Sequence, residues 1–288
     1  MRHLTLLARK PVAVLFACAL TLPALTDAMA QSRVDFHLLP AVSTGPLDPD
    51  WSPDGNTIAY AARGDIWIVP ASGGTATALT AGPHYYSEPA FSPDGTSIAL
   101  TVDRDGNLDV GVVDSGGGDV TILTGDADDD FAPEWNETGD GLYFASRRAG
   151  NLDILHVDVA SGEVDTVVDG PGHQYQPALS PDGKTLAFVG RVDGRIGSGG
   201  IWTKPLPDGE ASLVHYEQSS YRMKPRWSAD GASLFYVSDV TRSNDIARIP
   251  AKGGVRAWVT EDPAGELDPA PSPDGRHIAF VSNESGPT

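Results

Sequence analysis

Cysteine is almost absent: the 288-residue chain has one, Cys18. A single thiol cannot form an internal disulfide, so a disulfide-built scaffold is excluded. Positive charge is scarce. Lys and Arg number 20 against 39 Asp and Glu, a formal net charge of −19. Nucleic-acid binders carry a basic footprint, so that class is set aside. Apolar runs long enough to span a bilayer are missing after residue 25. Long helices are disfavoured, because 32 Gly and 23 Pro are spread along the chain and both residues interrupt helices. Signatures of catalysis are missing as well. There is no G-x-S-x-G, H-E-x-x-H, C-x-x-C or G-x-x-x-x-G-K-(S/T). His37, His84, His156, His173, His215 and His277 show no metal-ligand spacing. Neither a metal nor a cofactor is expected.

What is present begins with an address. Arg2, Arg9 and Lys10 precede an apolar run at 11–25, and Ala28-Met29-Ala30 forms a small-x-small site before Gln31. That is the layout of a secretory signal peptide, expected over residues 1–30. Pro11 and Pro23 interrupt the run, which is short for a membrane anchor. Leu15-Phe16-Ala17-Cys18 is a poor lipobox, since apolar residues continue beyond the cysteine. Removing Arg2, Arg9, Lys10 and Asp27 leaves 17 basic and 38 acidic residues, a net −21, with no cysteine. The mature chain is expected outside the cytoplasm, most simply in a bacterial periplasm, with no integral membrane segment.

The remainder is one motif written six times. It reads P-D-W-S-P-D-G (49–55), P-A-F-S-P-D-G (89–95), P-E-W-N-E-T-G (133–139), P-A-L-S-P-D-G (177–183), P-R-W-S-A-D-G (225–231) and P-A-P-S-P-D-G (269–275). The closing glycines are spaced by 40, 44, 44, 48 and 44 residues, near the length of a propeller blade. The loop at 190–200 accounts for the longest interval. Each copy divides into four short runs. An apolar residue ends the first, and the Pro-Asp-Gly turn leads to a second such as Ile58-Ala59-Tyr60. A third follows, such as Asp65 to Val69, and a glycine turn leads to a fourth, such as Ala78-Leu79-Thr80. Short strands at even spacing with Gly/Pro turns indicate an all-β fold, here a β-propeller of four-stranded antiparallel blades. Six repeats are visible and the last is incomplete: its turn and second strand are present, but the sequence stops after Asn283 to Thr288. Val34 to Leu39 can supply one of the missing strands. An unfinished sheet leaves an unpaired edge, so the chain is expected to be a piece of a longer polypeptide. The expected layout is a signal at 1–30, an N-terminal segment at 31–46 and a propeller over 47–288.

These motifs resemble the WD40-like repeats of TolB-type propellers, over residues 47–282. The (W/F)-S-P-D-G turn followed by I-A-(F/Y/L) carries the resemblance. It implies a non-catalytic scaffold that binds a protein or peptide. Related propellers also accompany catalytic domains in amidohydrolases and peptidases, which implies an alternative: the substrate-gating portion of a larger exported hydrolase. One departure is that only residues 31–46 separate the signal from the first blade, where TolB has a separate α/β domain.

Candidate binding residues follow from the expected geometry. Loops between blades and between second and third strands emerge on one face, around the channel mouth. They carry His84, Tyr85, Tyr86 and Glu88; Asp128, Asp129 and Asp130; Arg147 and Arg148; His173 and Tyr175; Arg222 and Lys224. Tyr and Arg are enriched at binding hot spots, and loops on rigid scaffolds carry function. The acidic cluster from Asp126 to Asp130 reads as a solvated loop, or as a patch for a cation or basic partner. Asp103 to Asp109 resembles half a calcium loop, but the third repeat keeps Gly-Asn-Leu-Asp and replaces both leading acids, which favours a hairpin turn. Trp51, Trp135 and Trp227 recur at the anchor and read as packing residues. On this reading a buried Trp227 costs about 3–5 kcal/mol when cut to Ala, and Arg148→Ala costs no more than about 0.5 kcal/mol.

Overall fold

The computed structural model describes residues 45–283 apart from 192–197, 219–222, 242 and 262. All of them belong to one compact unit, His37–Thr288. The segment at 1–30 and most of the segment at 31–46, including Val34 to Leu39, lie outside the described residues, as does Arg222.

Five repeats form four-stranded antiparallel blades. The first comprises β1 (Leu47–Trp51), β2 (Thr57–Ala62), β3 (Asp65–Pro70) and β4 (Thr77–Ala78). The second comprises β5 (Tyr85–Phe91), β6 (Ser97–Arg104), β7 (Asn107–Asp114) and β8 (Thr121–Ile122). In the third are β9 (Asp130–Trp135), β10 (Gly141–Ser146), β11 (Asp153–Asp158) and β12 (Val164–Val168). The fourth holds β13 (Gln174–Leu179), β14 (Thr185–Arg191), β15 (Ser198–Pro205) and β16 (Ser212–Gln218). The fifth holds β17 (Arg226–Trp227), β18 (Ser233–Ser238), β19 (Asp245–Pro250) and β20 (Ala257–Trp258). Strand order within each blade follows the sequence. The sixth repeat departs from that plan. Among the described residues it is a two-stranded sheet of β21 (Glu266–Pro271) and β22 (Ile278–Ser282), so the complete blades number five.

The repeated turn is held by its own side chains. Ser52 Oγ donates to Asp54 Oδ1 at 2.6 Å and accepts the Thr57 N–H at 2.9 Å, and Gly55 closes the turn at φ 72°. Ser92, Ser180, Ser228 and Ser272 make the same 2.6 Å bond to Asp94, Asp182, Asp230 and Asp274. The Ser52 hydroxyl is the main reason the Asp54 carboxyl titrates as low as about 2. The segment Asp103 to Asp109 forms the hairpin that its repeat pattern favours. Asp105 and Gly106 take φ of 61° and 90° between β6 and β7, as a two-residue turn with both positions left-handed requires.

The core lies between sheets, not within one. Trp135 packs with Leu142, Phe144, Leu155 and Val157 of its own blade and with Ala90, Ala99 and Val110 of the second. Its indole N–H reaches back to the Ala90 carbonyl at 2.9 Å. Trp227 does the same to Ala178 at 3.0 Å, and Trp51 to Ala270 at 2.8 Å. The last bond joins the first blade to the sixth sheet and closes the ring. Trp135 is buried, whereas Trp51 and Trp227 are half-buried.

Candidate functional site

Each anchor proline is preceded by one residue of variable chemistry: Asp48, Glu88, Ala132, Gln176, Lys224 and Asp268. All six have positive φ, between 42° and 54°. Side-chain-bearing residues seldom adopt this region. In five of the six sheets the strand register shifts around this position, which marks a β-bulge. Bulges re-aim side chains, and these turn theirs toward the centre of the ring. There, side chains reach from sheet to sheet. Glu88 Oε2 accepts the Ala132 N–H at 2.9 Å, Gln176 Oε1 the Lys224 N–H at 3.0 Å, and Asp268 Oδ2 the Asp48 N–H at 3.2 Å. Lys224 Nζ donates to Asp48 and, at 3.1 Å, to Asp268. The cavity left between them is about 20 Å³, room for roughly one water.

The residue after each anchor proline forms a second set with strict alternation: Asp50, Ala90, Glu134, Ala178, Arg226 and Ala270. Asp50 Oδ2 accepts the Phe91 N–H at 2.7 Å and Glu134 Oε1 the Leu179 N–H at 3.0 Å. The next such position, opposite Arg226, is Pro271, which has no N–H to donate. An acid there would face no donor. Burial raises the carboxyls of both Asp50 and Glu134, and the charge of Arg226 opposes that rise without overcoming it.

The centre is therefore rich in carboxylates and short of counter-charge. Burial pushes the Glu88 carboxyl up to about 7, and Asp48 adds to that, while Lys224, the Thr101 hydroxyl and the Ala132 N–H oppose it. Glu134 is raised to about 7, chiefly by burial. Burial also raises Asp50. Lys224 behaves oppositely: burial pulls its ammonium down, but Asp268 and Asp48 outweigh this and raise it.

These shifts set a pH dependence. Glu88 and Glu134 hold their protons more tightly folded than at the ordinary value of 4.5. Their favourable contribution is present below that value and is lost as pH rises through about 7. Stability is expected to fall between about pH 5 and pH 8. Glu134→Gln keeps an acceptor for the Leu179 N–H. It should flatten that slope and gain about 1–3 kcal/mol at about pH 8. Calorimetry across the range checks it, and an unchanged slope counts against the assignment.

The residues expected from sequence are distributed unevenly. Glu88 and Lys224 belong to the central ring. Tyr86 and Tyr175 are buried at 6% and 5% exposure and pack in inter-sheet core. His84 lies edge-on to Tyr86, and His173 Nδ1 accepts the Leu152 N–H at 3.0 Å. Tyr85 packs over Gly64, leaving no room for a Cβ there without displacing the ring. Asp128 is exposed. The acidic and basic candidates pair with one another: Arg147 meets Asp129 at 3.5 Å, and Arg148 meets Asp130 at 2.6 Å and Asp126 at 3.6 Å. The Asp130 side chain is fully buried. The expectation that Arg148→Ala is nearly neutral must therefore be corrected. Removing the guanidinium strands a buried carboxylate. The expected loss is about 2–3 kcal/mol by chemical denaturation, below that of a fully buried pair because Arg148 is partly exposed. Sequence reasoning missed Asp48, Asp50, Glu134, Gln176, Arg226 and Asp268. Their signal was the pair of columns flanking the anchor proline.

Among the described residues no group of three or more His, Cys, Asp or Glu is arranged to hold a metal. No helix among them is long and apolar enough to cross a membrane.

Comparison with known proteins places this geometry. The chain is similar to TolB from Acinetobacter baumannii, at TM-score 0.72 and 24% identity, over 79% of this chain and 57% of that one. It is similar to a putative TolB from Agrobacterium tumefaciens, at TM-score 0.72 and 20% identity, over 84% of this chain and 91% of that one. A 60-residue stretch is 47% identical to an uncharacterized peptidase, YuxL, of Bacillus subtilis, covering 19% of this chain and 9% of that protein. The chain thus spans under a tenth of that curated relative and little over half of the Acinetobacter protein. A family model for the TolB beta propeller domain matches residues 38–200, more than half of the sequence. With six register-matched anchors, inter-sheet indole bonds and a closed ring, the chain belongs to the TolB beta propeller domain family.

Proposed function

We propose that this chain is an exported scaffold that binds a protein or peptide partner on the loop-rich mouth of its channel. One observation carries the reading: the pocket left between Asp48, Glu88, Gln176 and Lys224 is about 20 Å³, too small to admit a peptide segment. A macromolecular partner therefore meets the rim and not the interior. The chain carries 39 Asp and Glu against 20 Lys and Arg, a formal net charge of −19, and Asp128 is exposed on the rim. This balance favours a basic segment in the partner. Export rests on the signal-like first thirty residues.

Capture from periplasmic extract tests the reading. Asp128 is exposed on the loop-rich face, and Glu163 is exposed on the opposite face between β11 and β12. Asp128→Lys should reduce capture several-fold with an unchanged melting temperature, and Glu163→Lys should not. Equal losses for the two defeat the assignment of the face.

A second reading is favoured by the similarity to a peptidase of which this chain spans only a small share. In it, the propeller gates substrate for a hydrolase encoded in the same polypeptide. The reading frame beyond Thr288 decides: a hydrolase domain supports it, and a stop codon after one finishing blade removes it.

A further inference from the structure

A cleft of about 510 Å³ opens at the foot of the seam between the fourth and fifth blades, both of them complete. That volume is within the range of about 300–1,000 Å³ typical of small-molecule sites. Its walls are the turns after β13 and β17, together with Ala251 and Lys252 after β19. It therefore lies on the face opposite the channel mouth.

The chain itself shows how such a seam is closed. Trp135 and Trp227 hold the same place in their repeats and make the same bond, to the Ala90 carbonyl at 2.9 Å and to Ala178 at 3.0 Å. Yet Trp135 is 7% exposed, and Trp227 is half-buried. The difference lies in what covers them. Val112 pairs with Ala99 in the second blade, the Val159 N–H donates to Asp140 in the third, and both valines pack on the Trp135 cluster. The matching places of the fourth and fifth blades hold Thr203, paired with Ala187, and Ala251, whose N–H donates to Ala232. Both line the cleft. A threonine and an alanine thus stand where two valines close the other seam, and space is left beside the Trp227 indole.

The surroundings of this space are polar and balanced in charge. Asp182 and Asp230 are ionised, because their turn serines hold both carboxyls below the usual carboxylate range. Each spends Oδ1 on its own turn: Asp182 on the Ser180 hydroxyl and Lys184 N–H, Asp230 on the Ser228 hydroxyl and Ala232 N–H. Lys252 is an exposed ammonium in the lining, and Lys184 and Arg248 act on the two acids by their charge. Two acids meet three bases here, although the chain as a whole has a net charge of −19. A strongly basic or acidic guest gains little from such a balance and meets repulsion from one half of it. A ring of hydroxyls with an apolar C–H face suits it better. Hydroxyls donate to carboxylates and accept from an ammonium, and electropositive C–H groups suit the electron-rich face of an indole.

We propose that this cleft binds a neutral saccharide, with one sugar ring on the Trp227 indole and its hydroxyls shared among Asp182, Asp230, Thr203 and Lys252. The site is separate from the rim and does not depend on the partner proposed there.

The probes are maltotetraose, cellotetraose and chitotetraose, each titrated calorimetrically into the full chain, with a decaproline peptide in parallel. At least one sugar is expected to bind saturably with a Kd of about 1 mM or tighter. T203V and A251V together restore the valines that close the other seam. The double variant should keep or raise the melting temperature and weaken sugar binding at least about tenfold. Lys252→Ala removes an exposed donor. It should weaken binding several-fold with an unchanged melting curve, and it decides the matter if the double variant does not fold. The proposal is overturned if none of the three sugars binds, or if affinity is unchanged in the folded double variant or in K252A. Binding of decaproline without any sugar also overturns it and identifies a peptide groove.

Discussion

Trp135→Ala is expected to cost about 3–5 kcal/mol in chemical denaturation. The indole is 7% exposed and lies among apolar residues of two blades. Its removal opens a cavity at a seam between sheets and deprives the buried Ala90 carbonyl of its 2.9 Å donor. Trp135→Phe separates the two effects. It keeps most of the packing and loses the bond, so about 1–2 kcal/mol should be lost. Trp227→Ala should cost less than Trp135→Ala, because Trp227 is half-buried although it makes the matching bond to Ala178. Equal losses at the two positions would mean that burial does not govern these anchors.

Lys224→Met is expected to cost about 3–5 kcal/mol near neutral pH. The ammonium is 9% exposed and joins Asp48 of the first blade to Asp268 of the sixth sheet. Without it, two largely buried carboxylates face each other across the place where the ring closes. The cost of an unpaired buried charge exceeds what the pair contributes over an apolar substitute. Two measurements distinguish this from loss of side-chain packing. The deficit should shrink as acid protonates Asp48 and Asp268. Adding Asp48→Asn and Asp268→Asn should recover most of the stability. A deficit that is constant with pH and survives the triple substitution would defeat the account.

The proline anchors made the repeat legible because each does a local job. Proline presets φ, serine and aspartate bond within the turn, and glycine takes positive φ. All of this is encoded within seven residues. The alternation of Trp with Phe, Leu or Pro was equally visible, but its meaning was not. Trp51, Trp135 and Trp227 reach back to the preceding sheet, and Asp50 and Glu134 reach forward to the next. Arg226 opposite Pro271 makes sense only once the two are neighbours. The loop residues were misjudged for a related reason. Tyr86 and Tyr175 look like rim aromatics in sequence, yet strand alternation turns them into the seams. Arg148 looks like a free cation until Asp130 is found beneath it.

The all-β repeat, the register of its turns and the strands within each blade follow from local pattern alone, because turn chemistry and two-residue alternation act over a few neighbouring residues. The incomplete sixth repeat was legible as well, and among the described residues it is a two-stranded sheet beside five complete blades; what needed the folded ring was how the sheets meet. Only the tertiary structure decided that residues beside the anchor prolines converge on a crowded, carboxylate-rich centre. Those outcomes depend on groups some forty residues or more apart meeting where water is excluded. There, burial and charge set protonation and pairing in a way that no local pattern records.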